Sequence, residues 1–368
     1  MTVNDIHSLF STWAPREIAW ERDNVGLQVG DWGAEVSGIL VALDCTARIV
    51  AEAKKRNANL IITHHPLLFR PPKTITSNDE VGTCIGALMT NKIALYAAHT
   101  NVDFVRGGVN FAIAEALGLE QPDFLRKPHR VQKKLVTFVP ENHVANVRDA
   151  MAAAGAGVIG KYDHCSFGTI GAGSFRGNES SNPTIGEKGK LEQVSEVRLE
   201  MIVNQWDVPN VVKALRASHP YEEVAYDVYP LENASNEFGE GIIGTLPRAM
   251  RIEKFLSLVK KSLRVKAVRR TVSMSRMIRT VAACGGAGAE LMDTAIARGA
   301  DAFITADVRY HDFHHAWGRI VLLDAGHYET EHLVVPVLVK KVKQEFAALG
   351  TGVPVFATRQ STNPIVYS

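Results

Sequence analysis

The sequence predicts an α/β protein whose duplicated strand-helix-strand core is interrupted by an inserted ferredoxin-like α+β domain. Three observations carry this. Residues 39–63 laid ungapped over 281–305 match in kind, so that Arg56-Asn57-Ala58-Asn59-Leu60-Ile61-Ile62-Thr63 falls on Arg298-Gly299-Ala300-Asp301-Ala302-Phe303-Ile304-Thr305. Between the two copies the strand-helix-strand pattern occurs twice more at similar length, which is the grammar of a split βαβ unit. The apolar run Ile61-Ile62-Thr63 ends in His64-His65-Pro66. Too short for a helix and rich in β-branched residues, it reads as a buried strand with polar side chains at its C-terminal end. Open α/β sheets place their ligands at that end. The expected core is 1–125 plus 238–368, and the expected insert is 126–237.

The elements follow in order. Residues 3–13 are amphipathic and read as a helix with Asn4 or Asp5 near its N-cap. The two glycines of Asn24-Val25-Gly26-Leu27-Gln28-Val29-Gly30 predict tight backbone geometry. A strand at 38–43, a helix from Asp44-Cys45-Thr46 to Arg56, and the strand entering His64 form a βαβ unit, for which a parallel pair and a right-handed crossover are expected. A polar loop, a helix near 79–91, a strand at 93–98 and a helix at 109–117 close the first half. In the insert, 134–139 reads as strand, 144–154 as helix and 157–159 as the start of a second strand. Strand 196–203, helix 209–218 and strand 224–229 repeat the pattern. The Gly/Ser/Asn-rich stretch 168–189 reads as a long mobile loop or an oligomer-contact arm.

The core resumes with a glycine-bent strand at 241–245, a helix at about 252–263 and a strand near 278–283. Gly285-Gly286-Ala287-Gly288 lacks the lysine and hydroxyl of a P-loop, so close backbone packing is expected there. A helix at 291–298, strands at 302–305 and 320–324, and a long helix at 334–349 complete the chain.

Composition narrows the function classes. Apolar residues make up 46% and charged residues 22% of 368 residues, and no apolar run approaches the roughly 20 residues that cross a bilayer. A start without a basic, apolar leader makes the cytoplasm the expected location. With 41 basic against 39 acidic side chains, no general field favours nucleic acid. The basic run from Lys254 to Arg279, with Lys260, Lys261, Arg264, Lys266, Arg269 and Arg270, has almost no interleaved aromatics and reads as a solvated helix face with its exit loop. Cys45, Cys84, Cys165 and Cys284 are too far apart for a short-spaced zinc knuckle.

Adjacent strand residues point to opposite faces, so His64 and His65 serve one small ion together only if the chain distorts. Pro66 ends the strand and lets them splay. Each imidazole then serves a different ion of a two-metal site, or one binds and the other positions substrate. Strand 93–98 exits into His99-Thr100-Asn101-Val102-Asp103, and strand 320–324 exits, after Gly326, into His327-Tyr328-Glu329-Thr330-Glu331. Both carry a histidine, three residues and a carboxylate, a spacing that puts the pair on one face of a helix start. Together with the paired histidines, they predict a metal centre on His64, His65, Asp103, His327 and Glu331.

Imidazole mixed with carboxylate and no thiolate suits zinc, iron, manganese, nickel or cobalt better than calcium or magnesium. A pair of divalent transition-metal ions roughly 3.5 to 4 Å apart, bridged through Glu331, lowers the pKa of a shared water toward about 7, and hydrolysis is the natural chemistry. His99 is open as a sixth ligand, a general base or a donor behind the ligands. Asp307, Tyr310 and His311 follow the strand equivalent to the one ending in His64-His65 and are candidates for moving protons. His314, His315 and His332 read as packing or surface residues.

Asn24-Val25-Gly26-Leu27, Ile62-Thr63-His64-His65-Pro66, His99-Thr100-Asn101-Val102-Asp103, Gly299-Ala300-Asp301 with Tyr310-His311, and Asp324 through Glu331 together resemble the GTP cyclohydrolase 1 type 2 homologue family. Lys161 to Phe167 and His219 to Asp227 are similar to the PII-like or CutA-like insert of its longer bacterial members. The resemblance implies a dinuclear site on the same five residues and a ring-shaped homohexamer capped by the inserts. The family's name implies opening of the imidazole ring of GTP at C8 with loss of formate. The expectation is a metal-dependent hydrolase of a nucleotide or related phosphorylated small molecule. The competing class is a non-enzymatic hexameric metal-binding scaffold or regulator.

Overall fold

The structure, a computed structural model, describes residues 1–272 and 277–366. The chain forms two compact units, 1–126 with 238–368, and 127–237. It is a mixed α/β protein, with three sheets among the described residues.

Helix Val3–Trp13 opens the larger unit and buries Ile6 and Phe10. Its N-cap is Thr2, in place of the expected Asn4 or Asp5. Thr2 is extended and its hydroxyl accepts the Asp5 N–H, while the Asp5 carboxylate accepts the Thr2 N–H at 2.7 Å. Three residues into the helix, a carboxylate completes a capping box instead of starting one. Thr2→Ala is expected to cost about 1 kcal/mol, read as a lower midpoint in urea unfolding.

Strands β1 (Gly26–Val29), β2 (Ile39–Ala42), β3 (Leu60–Thr63) and β4 (Ala94–Ala97) stand in the order β1-β4-β3-β2. β2, β3 and β4 run parallel through helices Ala47–Lys55 and Glu80–Thr90, and β1 is antiparallel to β4. All residues of β2, β3 and β4 are buried, as a sheet covered on both faces requires. Leu40, Ile61 and Leu95 meet the crossover helices, while Ile39, Leu60, Ile62 and Tyr96 join Phe10 and Leu338 on the opposite side. β5 (Glu120–Arg126) follows helix Val109–Leu117.

In the smaller unit, β6 (Gln132–Pro140), helix Val144–Ala153, β7 (Ser166–Arg176), β8 (Leu191–Asn204), helix Val208–Ser218 and β9 (Tyr226–Pro230) succeed one another. The sheet is antiparallel, ordered β7-β8-β6-β9. Both helices pack on one face through Val147, Met151, Val211 and Leu215 against Leu135, Leu199 and Met201. Two expectations change here. Residues 157–159 form no strand beyond a single bridge from Ile159 to Tyr162. The first part of the 168–189 stretch is strand, because β7 pairs with β8 from Ser166 to Arg176, and 177–190 is the loop that connects them. Gly168, Gly171 and Gly173 hide the period-two pattern, and Gly173 lies against the Glu196 carboxylate, where a Cβ would stand 2.1 Å from Oε2.

The larger unit resumes with β10 (Glu240–Arg251), helix Ile252–Ser262, β11 (Arg269–Arg270), β12 (Met277–Ala287), helix Met292–Ala297, β13 (Ala302–Ala306), helix Tyr310–Ala316 and β14 (Val321–Asp324). Helices His327–Glu331 and Val334–Ala348 and strand β15 (Val355–Ala357) end it. The second sheet is ordered β11-β14-β13-β12-β10-β5, and β15 joins the first sheet beside β2. The parallel pairing is the same in both halves: Ile39 faces Leu60 as Val281 faces Ala302. β10 and β12 are longer than expected. β12 runs through Gly285 and Gly286, and the irregular pairing between Ala283 and Ala287 accommodates them.

Lys260, Lys261, Arg264, Lys266, Arg269 and Arg270 are exposed, and Arg269 pairs with Asp324. Residues 273–276 of this basic segment lie outside the described residues. Among the described residues no helix is long and apolar enough to cross a membrane.

Candidate metal centre

Three strand exits build the cluster. At the end of β3 the Thr63 hydroxyl donates to the His65 carbonyl at 2.8 Å and turns the chain. His64 is fully buried. Its Nδ1 meets the Ala98 carbonyl, at the exit of β4, at 2.8 Å. The carbonyl can only accept, so Nδ1 carries the proton and Nε2 is left as a lone-pair donor. His65 Nδ1 lies 2.7 Å from Asp44 Oδ1, and its Nε2 lies 2.7 Å from Glu331 Oε2. Asp44 is there because β2 and β3 are parallel neighbours, with His65 N–H bonding the Leu43 carbonyl at 2.9 Å.

After β14, Gly326 at φ +87° turns the chain into helix His327–Glu331. One turn apart, His327 Nε2 and Glu331 Oε2 are 3.1 Å from each other, and His327 Nδ1 is 2.6 Å from Asp307 Oδ2. Glu331 reaches both histidine positions. Its Oε2 faces His65 and His327, while Oε1 lies 3.9 Å from His64 Nε2. Asp103 Oδ1 is 3.6 Å from that same nitrogen.

Two buried atoms, His64 Nε2 and Asp103 Oδ1, have no hydrogen-bond partner among the described residues. Leaving buried polar atoms unsatisfied costs free energy unless a ligand takes them up. Two donors, each about 2.1 Å from one ion, can stand up to about 4.2 Å apart, so their separation fits. His65, His327 and Glu331 form one group that could hold an ion, and His64, His65 and His99 form another. The residues present therefore fit a metal.

Charge is distributed unevenly over the cluster. Burial drives the His64 imidazole down to about 3, which keeps it neutral. Burial also opposes charge on His65 and His327, but the carboxylates of Asp44, Glu331 and Asp307 outweigh it and raise them to about 10 and about 9. Burial and the neighbouring Glu331 charge push Asp103 well above the usual carboxylate range. Glu331 goes the other way, since His327 and His65 outweigh its burial. At neutral pH the metal-free site thus holds protons on His65 and His327 that an incoming cation must displace. Metal loading at pH 7 is expected to release at least these two protons per chain, and affinity is expected to rise with pH up to that range. Calorimetry in two buffers of different ionisation enthalpy measures the release.

A profile of the Duf34/NIF3 family (NGG1p interacting factor 3) matches residues 1–364. The chain belongs to that family. A Halalkalibacterium halodurans relative named GTP cyclohydrolase 1 type 2 homolog is 41% identical over 322 residues, covering 87% of this chain and 86% of its own. A Bacillus subtilis protein of the same name is 38% identical over 364 residues, covering 98% and 97%. The crystal structure of a Bacillus cereus protein related to NIF3 superposes with a TM-score of 0.88 at 39% identity, over 100% of this chain and 99% of that one. These names agree with the resemblance carried by the sequence motifs.

In this Duf34/NIF3 chain the structure brings His64, His65, Asp103, His327 and Glu331 together. His99 stands beside them, with ring centroids 5.2 and 5.6 Å from those of His64 and His65. Its Nδ1 is 2.8 Å from Asp23 Oδ1, and Asp23 is held in turn by the Thr100 N–H at 3.1 Å and the Thr100 hydroxyl at 2.5 Å. Burial opposes the Asp23 charge, yet His99 and Thr100 hold its carboxyl at about 2. Tyr310 and His311 stand outside the cluster. Tyr310 is 72% exposed, and its ring meets His311 and His314 on its own helix. Their place after β13 is equivalent to that of Leu68 and Phe69 only in sequence, because Asp307 turns the chain at φ +52°.

Sequence reasoning missed Asp44 and Asp23 as partners of imidazoles. Asp44 carried a signal: it follows β2, the parallel neighbour of the strand that ends in His64-His65. Asp23 carried none beyond its place beside Asn24-Val25-Gly26-Leu27. The glycine segment is indeed a close approach. Gly286 N–H donates to the Thr330 hydroxyl at 3.0 Å, and a Cβ on Gly286 would stand 2.2 Å from Glu331 Oε1.

Proposed function

We propose that the chain is a dinuclear-metal-dependent hydrolase of a nucleotide or related phosphorylated small molecule. Opening of the GTP imidazole ring by water is the candidate reaction that the relatives' name suggests. The observation that carries the reading is the paired set of donors around Glu331, with His64 Nε2 and Asp103 Oδ1 buried and unsatisfied on one side and His65 and His327 on the other. Two divalent transition-metal ions, when bound, supply Lewis acidity and lower the pKa of water toward about 7. His64, Asp103 and one Glu331 oxygen would hold one ion, and His65, His327 and the other oxygen the second.

Asp44 and Asp307 fix the tautomers of His65 and His327 so that each Nε2 faces inward. His99, anchored through Nδ1 by Asp23, presents its other nitrogen for proton transfer at the edge of the cluster. The edge-on ring of Phe69, with its centroid 6.2 Å from that of His99, offers an apolar wall for a heterocycle. The protein would work in the cytoplasm as a homohexamer capped by a PII-like or CutA-like smaller unit, without membrane or nucleic-acid partners.

Metal-loaded protein incubated with GTP and a nucleotide panel is expected to turn over at least one compound, and Asp103→Ala is expected to reduce kcat by about 10² or more. A second reading has its own support. Tyr162, Phe167, Ile170 and Leu191 of the smaller unit are exposed apolar side chains that a protein partner would cover. If no nucleotide turns over and a metal-loaded hexamer forms, the scaffold or regulator reading replaces the hydrolase.

A further inference from the structure

The segment after β15 touches Asp44, which bonds His65, and Glu329, on the turn that carries His327 and Glu331. β15 pairs in parallel with β2, Val355 with Ile39 through Ala357 with Val41, and the Thr358 N–H extends the ladder to the Val41 carbonyl at 2.9 Å. The segment therefore leaves the sheet at the same end as β2, where Asp44 lies. The Thr358 hydroxyl and the Gln360 amide donate to Glu52 Oε2 at 2.7 and 3.1 Å, which fixes the segment to helix Ala47–Lys55. Thr362 then donates its hydroxyl to Asp44 Oδ2 at 2.5 Å, while Asp44 Oδ1 takes the Nδ1–H of His65. One residue on, Asn363 Nδ2 donates to Glu329 Oε1 at 3.1 Å. Glu329 is buried on the turn between His327 and Glu331, and its Oε2 has no hydrogen-bond partner among the described residues. Pro364 restricts Asn363 to extended backbone.

We infer that Thr362 and Asn363 are positioning residues of the metal centre, clamping its two halves from behind. The inference rests on the metal reading of the cluster. A carboxylate held at one oxygen rotates about its terminal bond, and the Thr362 hydroxyl on Oδ2 stops that rotation. Oδ1 then stays on His65 Nδ1 and keeps His65 Nε2 aimed at Glu331. Asn363 does the corresponding work on the other half, tying down the helical turn that carries His327 and Glu331. Partners of this kind set ligand orientation and ligand basicity.

The test uses the full chain with zinc alone as probe. Thr362→Val removes the hydroxyl and keeps the shape, Thr362→Ser restores the hydroxyl, and Asn363→Ala removes the amide. Zinc affinity is expected to fall about 10- to 100-fold in Thr362→Val and Asn363→Ala and to return in Thr362→Ser. In metal-free protein, the ¹⁵N spectrum of His65 should keep a slowly exchanging Nδ1–H in wild type and Thr362→Ser and lose it in Thr362→Val. Wild-type affinity and an unchanged His65 spectrum in Thr362→Val overturn the inference, as does a loss that Thr362→Ser fails to restore. If the wild-type chain takes up no zinc, the metal reading itself falls, and the clamp with it.

Discussion

Glu331→Ala is expected to empty the metal centre. Among the described residues, Glu331 is the one side chain that faces both histidine positions, with Oε2 on His65 and His327 and Oε1 toward His64. Its loss should lower the metal content from about two ions per chain to less than a tenth of that, read by elemental analysis after gel filtration. His64→Ala should remove at least one ion. Full retention in both variants refutes the ligand assignment.

The same substitution changes metal-free stability in a pH-dependent way. His65 and His327 have folded pKa values of about 10 and about 9, above the unfolded value near 6.5. Their contribution is complete below that value and is lost as pH rises through 9 and 10. Glu331 is depressed below its unfolded value of about 4.5, so its contribution is present above that pH and lost as pH falls. The difference in Tm between metal-free wild type and Glu331→Ala should therefore be largest near pH 5 to 6 and shrink toward pH 10. Removing one partner of a buried ion pair typically costs about 3 kcal/mol at that maximum.

Gly286→Ala is the second large effect. The residue sits at φ +61°, and its new Cβ would stand 2.2 Å from Glu331 Oε1 and 3.3 Å from His327 Cε1. The left-handed backbone costs about 1 to 2 kcal/mol, and relieving the contact displaces Glu331. Metal affinity should fall on the order of a hundredfold. Gly299→Ala is the control, because φ there is +71° with nothing within 4 Å of the new Cβ. It should show the backbone cost in thermal melts and leave metal binding intact. Equal metal affinity in the two variants would mean that Gly286 is small for a reason unrelated to Glu331.

Much of this cluster of side chains was legible in the sequence because the fold repeats. The match between residues 39–63 and 281–305 appears as the same parallel register in both sheets, and it points to strand exits as the places to look. His64 and His65 were marked by Pro66, which ends β3, and Glu331 by its spacing from His327. The register carries further information: Asp307 occupies the position of His65 in the second copy, and Gly286 that of Asp44. In one half the strand exits supply a ligand with its orienting acid. In the other they supply an acid and the space for Glu331.

What sequence reasoning could not reach depends on partners far away in the chain. β5 and β15 are short or polar strands that owe their conformation to β10 and β2. Thr362 and Asn363 approach Asp44 and Glu329 only because β15 joins the first sheet some 300 residues after β2. Tyr310 and His311 illustrate the converse. They follow a repeated strand as His64 and His65 end one, but Asp307 turns the chain and Tyr310 is left exposed on a short helix.

The most direct measurement is anomalous diffraction from crystals of the metal-loaded chain. Two peaks are expected about 3.5 to 4 Å apart, one between His64 and Asp103 and the other between His65 and His327, with the Glu331 carboxylate between them. A single peak elsewhere, or none within reach of Glu331, would contradict the ligand assignment.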